Sequence, residues 1–201
     1  MTLNNLLFDG IGGRIAAKVM ARANRAAELE AIELLDPAPT DAVLAIGFGP
    51  GVGVALLAAR LPNGHVAGVD PSKAMLAEAT RRNRAAIRQG RVDLQLGAAH
   101  ELPWESGRFA GVIAVNSIML WEPLPISVAE LARVLRAGGR LVTITHGWAL
   151  RRRFGTLPRW EAAIEQALTA AGFYDIRHGA ARVEHGAART MCAVRSQPDK
   201  L

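Results

Sequence analysis

The stretch Val43-Leu44-Ala45-Ile46-Gly47-Phe48-Gly49-Pro50-Gly51-Val52-Gly53 constrains the fold more than any other part of the chain. An apolar run breaks into glycines at alternate positions, and a second apolar run, Val66-Ala67-Gly68-Val69, ends on the carboxylate of Asp70. Continuous apolar runs of this kind read as parallel strands covered on both faces. Glycine has no Cβ, so the turn after the first strand can take positive φ and lay bare backbone against a ligand. The helix that follows then points its N-terminal N–H groups at the same ligand. Asp70 stands 23 residues beyond Gly47, close to the ~20 at which a carboxylate takes the ribose hydroxyls of an adenosine ligand. The chain is expected to bind an adenosine-containing cofactor.

The glycine spacing narrows the choice. A dinucleotide fingerprint starting at Gly47 requires glycine at 52, and one starting at Gly49 requires a small residue at 54; both positions hold valine. A phosphate-gripping P-loop ends in Gly-Lys-Ser/Thr, and no lysine lies between Lys18 and Lys73. The pattern present, G-x-G-x-G-x-G, resembles the first motif of the class I S-adenosylmethionine-dependent methyltransferases, whose cofactor has no pyrophosphate. Further segments resemble that family in order and spacing over roughly residues 40 to 147. They are Asp70-Pro71-Ser72-Lys73-Ala74-Met75-Leu76, Gly97-Ala98-Ala99-His100-Glu101-Leu102-Pro103-Trp104, Phe109-Ala110-Gly111-Val112-Ile113, and Arg133 to Leu141 around Gly138-Gly139. Three positions depart from the family's usual acidic residues: Ala45 before the glycines, Ala98 in the third segment and Ala110 in the fourth.

The resemblance implies a set of cofactor contacts. Gly47, Phe48, Gly49, Pro50 and Gly51 would run along S-adenosylmethionine, and Asp70 would hold the ribose. Pro71, Met75, Ala98, Ala99 and His100 would flank the adenine, and Asn116 would serve as a polar contact. It places an acceptor near the end of the fourth strand, where Trp121 stands, and after the fifth, where His146 and Trp148 stand. Methyl transfer from a sulfonium is an in-line displacement that asks mainly for alignment. A base is needed only where the acceptor must lose a proton, and His146 is the candidate for that task. Asn116-Ser117-Ile118-Met119 lacks the Asn/Asp-Pro-Pro-aromatic signature of enzymes that methylate amino groups of bases or glutamine.

Alternating apolar runs and helical segments imply an α/β fold: a doubly wound, mostly parallel seven-stranded sheet with helices on both faces. Strands are expected at about 42–47, 65–70, 92–96, 110–115, 141–145, 174–178 and 189–195. The resemblance makes the last strand antiparallel, inserted beside the fifth. Helices are expected over 11–35, 52–60, 72–88, 125–136 and 157–171, the fourth capped by Gly138-Gly139. Ser72 is a candidate N-cap. Residues 1–38 read as an N-terminal helical segment, 39–196 as the methyltransferase-like domain and 197–201 as a polar tail. The first segment is expected to act as a lid hinged at Gly10, Gly12 and Gly13, as a fixed helix, or as a homodimer contact.

Bulk properties exclude other classes. With 201 residues the chain suits one domain with one substantial core. Half of it is hydrophobic and 21% charged, which excludes global disorder. No apolar run reaches the ~18 residues of a membrane span, and the N-terminus shows no export signal. The single cysteine, Cys192, forms no internal disulfide, which suits a reducing cytoplasm, and it is expected to face the core of the last strand. The net charge of +6 comes almost entirely from arginine; Lys18, Lys73 and Lys200 are the three lysines. Scattered arginines read as solvated helix faces, and Arg151-Arg152-Arg153 as a turn beyond the fifth strand. One tyrosine and few other aromatics argue against a nucleic-acid surface. No metal-ligand spacing occurs. The chain is therefore expected to methylate a small, largely apolar molecule. The alternatives are a catalytically impaired, methyltransferase-like binding or regulatory protein, and an RNA methyltransferase.

Overall fold

The structure, a computed structural model, describes residues 24–182 and 188–196. The expected hinge glycines, the helix before residue 24, His185 and the polar tail lie outside the described residues. Seven strands form one sheet: β1 (Ala42–Ile46), β2 (His65–Asp70), β3 (Val92–Leu96), β4 (Phe109–Val115), β5 (Leu135–His146), β6 (Phe173–Ala180) and β7 (Ala188–Arg195). Their order is β3-β2-β1-β4-β5-β7-β6. The pairs from β3 to β5 are parallel, and β7 runs antiparallel between β5 and β6. The chain reverses its direction of travel across the sheet between β1 and β4, and a crevice opens beside the carboxyl ends of strands at such a switch point.

Side chains alternate between the faces of the sheet with period two. Leu44, Ile46, Val112, Ala114 and Leu141 enter one core with Leu131, Leu150, Trp160 and Ile164. Val43, Ala45, Ile113, Val142 and Ile144 enter the other with Ala27, Ala31, Ile32, Leu35, Val54 and Leu57. The helices that supply these partners are α1 (residues 24–35) and α2 (Val52–Arg60) on one face, and α5 (Leu124–Val134), α6 (Gly147–Phe154) and α7 (Leu157–Ala170) on the other. Helix α1 is seated close on the sheet: a Cβ at Gly111 would stand 2.7 Å from Leu35 Cδ1.

Four elements differ from the sequence reading. The helix expected over 72–88 breaks at the buried Asn83 into α3 (Lys73–Arg82) and α4 (Arg84–Arg88). The Asn83 amide bridges the helix and the turn, donating to the carbonyls of Gly51 (3.1 Å) and of Ala79 in α3 (2.9 Å). Helix α5 ends at Val134, and Gly138-Gly139 lie within β5 rather than capping a helix, because Leu135 is already extended and pairs with Phe109. Arg151, Arg152 and Arg153 fill the last turn of α6 instead of a loop, where their charge favours the helix's negative end. Cys192 is half-buried beside the α1-side core rather than enclosed by it, and burial pushes its thiol up.

Candidate active site

The glycine turn is built by close approach. Gly47 has φ +70°, and a Cβ there would fall 2.4 Å from Ser117 Cβ. Ser117 follows β4 and donates its hydroxyl to the Ile46 carbonyl at 2.7 Å, tying the ends of β1 and β4 together. Gly51 has φ +77°, and a Cβ would meet Ala79 at 2.7 Å and Asn83 at 2.8 Å. The far side of the turn is held by α3: Arg82 Nε donates to the Pro50 carbonyl at 2.9 Å, beside the Asn83 contact with Gly51. Phe48 is buried beneath the turn, in space left by Gly68, where a Cβ would stand 2.7 Å from its ring.

Asp70 ends β2 at the opposite wall. One carboxylate oxygen accepts from the Gly49 N–H at 2.8 Å and the other from the Ser72 N–H at 2.9 Å. Each oxygen keeps a second acceptor site, so the group can take a diol while bracing the loop. Burial raises its pKa and the two amide bonds lower it, the net direction being up. Ser72 caps α3 by accepting from the Met75 N–H at 3.3 Å.

Between these walls lies a cavity of about 670 Å³. Of the residues picked out by sequence, Gly47, Phe48, Gly49, Pro50, Asp70, Pro71, Met75, Ala98, Ala99, His100, Asn116 and Trp121 line it. Gly51 does not; it faces α3. His146 and Trp148 also lie off the cavity wall. Their rings stack at 6.0 Å, Trp148 is 62% exposed, and the His146 N–H donates to Asn116 Oδ1 at 3.0 Å. Asn116, itself at φ 52°, passes the connection on by donating from Nδ2 to Asn24 Oδ1 of α1 at 3.0 Å. Met119, Leu120 and Trp121 form an apolar end to the cavity, and the exposed Glu122 and Arg153 pair with each other there.

Sequence reasoning missed Asn24 and Glu28, both on α1 and both lining the cavity. No motif marks them; their spacing of four places them on one helix face, which becomes informative only once the helix is docked. Glu28 is 8% exposed, and burial pushes its carboxyl up to about 8.

Comparison with known proteins agrees with this geometry. A family profile described as a methyltransferase domain matches residues 43–139. A demethylmenaquinone methyltransferase of Symbiobacterium thermophilum is 34% identical over 126 residues, 61% of this chain and 50% of that protein. The uncharacterized methyltransferase YdaC of Bacillus subtilis is 30% identical over 126 residues, 63% of this chain and 67% of its own length. The chain belongs to the class I S-adenosylmethionine-dependent methyltransferases. The fold of the chain also superposes on Haemonchus contortus phosphoethanolamine N-methyltransferase 2, solved with phosphomonomethylethanolamine and S-adenosylhomocysteine. The TM-score is 0.77 at 17% identity, covering 98% of this chain and 61% of that one. The chain spans about half the length of the Symbiobacterium relative (50%).

The cofactor of this methyltransferase family is S-adenosylmethionine, and the cavity fits it. A buried carboxylate stands where a diol can be taken, bare backbone runs from Gly47 to Pro50, and the volume lies within the ~300–1,000 Å³ of small-molecule sites. Among the described residues no group of three or more histidine, cysteine, aspartate or glutamate side chains is arranged to hold a metal ion. No helix among them is long and apolar enough to cross a membrane.

Proposed function

We propose that this methyltransferase transfers the methyl group of S-adenosylmethionine to a small, largely apolar acceptor. One observation carries the reading: the cofactor-sized cavity beside the glycine turn and Asp70 is also lined by the apolar side chains of Met119, Leu120 and Trp121. When bound, the cofactor supplies an electrophilic methyl on a sulfonium sulfur. The chain's residues supply position. Asp70 takes the ribose, Pro71, Met75 and residues 97–100 flank the adenine, and the backbone of 47–50 runs beside the rest. Trp121, 5% exposed, gives the acceptor a rigid wall. Alignment of this kind is the main catalytic requirement of a displacement. His146 has no part in the reading, because its ring is stacked with Trp148 away from the cavity.

Arg153, the arginine on the cavity wall, is paired with Glu122, which argues against an RNA acceptor there. The demethylmenaquinone methyltransferase among the relatives, whose name gives an apolar quinone as substrate, supports the small-molecule class. A second reading, a cofactor-binding protein without catalysis, draws on Ala45, Ala98 and Ala110. The test is incubation of methyl-labelled S-adenosylmethionine with a panel of apolar phenols, quinols and amines, and separately with RNA. Label in an organic-extractable product, with equimolar S-adenosylhomocysteine, is the expected result. Label in RNA alone overturns the acceptor class. Tight S-adenosylhomocysteine binding without transfer to any acceptor favours the second reading.

A further inference from the structure

Glu28 is a buried acid without a stated task. It sits on α1 within the cavity wall, 92% shielded from solvent, and among the described residues no hydrogen bond or ion pair reaches its carboxylate. Leaving an ionised carboxylate unpaired in such a place is costly, so a partner of opposite charge is what the position lacks. The fourth glycine of the turn makes room for it: a Cβ at Gly53 would stand 2.2 Å from Glu28 Oε2. Gly53 has no positive φ, so that close approach is the physical reason for glycine at 53. Among the described residues, the neighbouring surface holds no competing cation. Val52, Gly53 and Val54 of α2, residues 47–50 of the turn, Asn24, Asn116 and Ser117 are all uncharged. The other titratable groups along the cavity are Asp70, His100, Glu122 and Arg153, the last two paired with each other.

Asp70, with Pro71 and Met75, marks the adenosine end of the cavity, and the turn leads from there to the first residues of α2, where Glu28 lies. We propose that Glu28 receives the α-ammonium group of the cofactor's methionine portion, making α1 part of the cofactor site. The inference rests on S-adenosylmethionine being the cofactor. An ammonium–carboxylate contact in a desolvated site is a strong, charge-assisted one. Burial pushes the Glu28 carboxyl up to about 8, so it is mainly protonated at neutral pH. Taking up the ammonium then ionises it: the carboxyl proton leaves to solvent and the ammonium keeps all of its own.

The experiment compares S-adenosylhomocysteine with methylthioadenosine, which has the same thioadenosine but no ammonium, on wild-type protein and Glu28→Gln. Calorimetry in two buffers of different ionisation enthalpy reads affinity and proton release together. The expected result is a loss of roughly tenfold or more for S-adenosylhomocysteine in Glu28→Gln, with methylthioadenosine unchanged. Proton release on S-adenosylhomocysteine binding at pH 7 should vanish in the same variant. Unchanged methylthioadenosine affinity shows that the variant is folded and its adenosine site intact. Equal losses for both ligands, or none, overturn the role of Glu28. Wild-type protein that binds neither ligand removes the cofactor reading itself, and this inference with it.

Discussion

Asp70 does two jobs with one carboxylate, and its substitution should register in both. It accepts from the Gly49 and Ser72 amides and so couples the glycine turn to the start of α3. Removing a charge-assisted acceptor of this kind costs about 1.5–3 kcal/mol. Asp70→Ala should therefore weaken S-adenosylhomocysteine binding by about 10- to 100-fold, measured by calorimetry. Unaltered affinity would remove the residue from the proposed site. The three alanines that stand where the family usually has acids are not equivalent. Ala45 is 4% exposed in the core that it shares with Ala27 and Ala31 of α1, so an apolar side chain suits that position. Ala98 lines the cavity. Nothing in the structure explains Ala110.

At the scale of elements, the break between α3 and α4 ties the site to the fold. A helix continuing unbroken through residue 83 would leave the Asn83 amide no reason to face the glycine turn. Instead its Nδ2 reaches two carbonyls in a buried setting, one of them Gly51. Asn83→Ala removes the side-chain donor from both carbonyls, which keep backbone donors from Ala55 and residue 83, and should cost about 0.5–1.5 kcal/mol, read as a lower midpoint in urea unfolding. The same variant should loosen cofactor binding, because Gly51 loses its hydrogen bond to the residue that follows α3. An unchanged midpoint would show that the turn is held by the Arg82 and Asp70 contacts without Asn83. A second link runs from α1 through Asn24 and Asn116 to the backbone of β5, so three elements share one short hydrogen-bond chain beside the cavity.

At the scale of the whole molecule, the buried Glu28 makes stability depend on pH. Its carboxyl is raised from 4.5 to about 8 in the folded protein. Between those values the native state binds more protons than the unfolded chain, so stability falls as pH rises through that window and is flat beyond it. The full span corresponds to at most ~5 kcal/mol, since each pKa unit is worth about 1.4 kcal/mol. Glu28→Gln should therefore raise the melting temperature of the ligand-free protein more at pH 8.5 than at pH 5. Asp70 is also raised, but it is present in both proteins and cancels in the difference. Parallel melting curves at both pH values would show that Glu28 is not desolvated.

The succession of strands along the chain, the glycine turn and Asp70 were legible in the sequence because they rest on local rules, and the family resemblance added the antiparallel last strand beside the fifth. Apolar runs pair as buried strands, glycine permits the turn, and a carboxylate at the end of the second strand faces the crevice. Those rules located the glycine turn and Asp70, and the family resemblance supplied the rest of the twelve cavity-lining residues picked out, from Gly47 to Trp121. They did not reach Asn24 and Glu28, whose helix carries no motif and whose roles arise from docking across the sheet. Nor could they separate Trp121, which walls the cavity, from His146 and Trp148, which stack together off it. The break at Asn83 belongs to the same class: helix propensity favours continuation, and a carbonyl at Gly51, 32 positions earlier in the chain, decides otherwise. Local sequence thus determined the scaffold, the glycine turn and the carboxylate beside it. Contacts between residues distant in sequence decided that the buried acid Glu28 joins the cavity wall, because only packing brings α1 against Gly53.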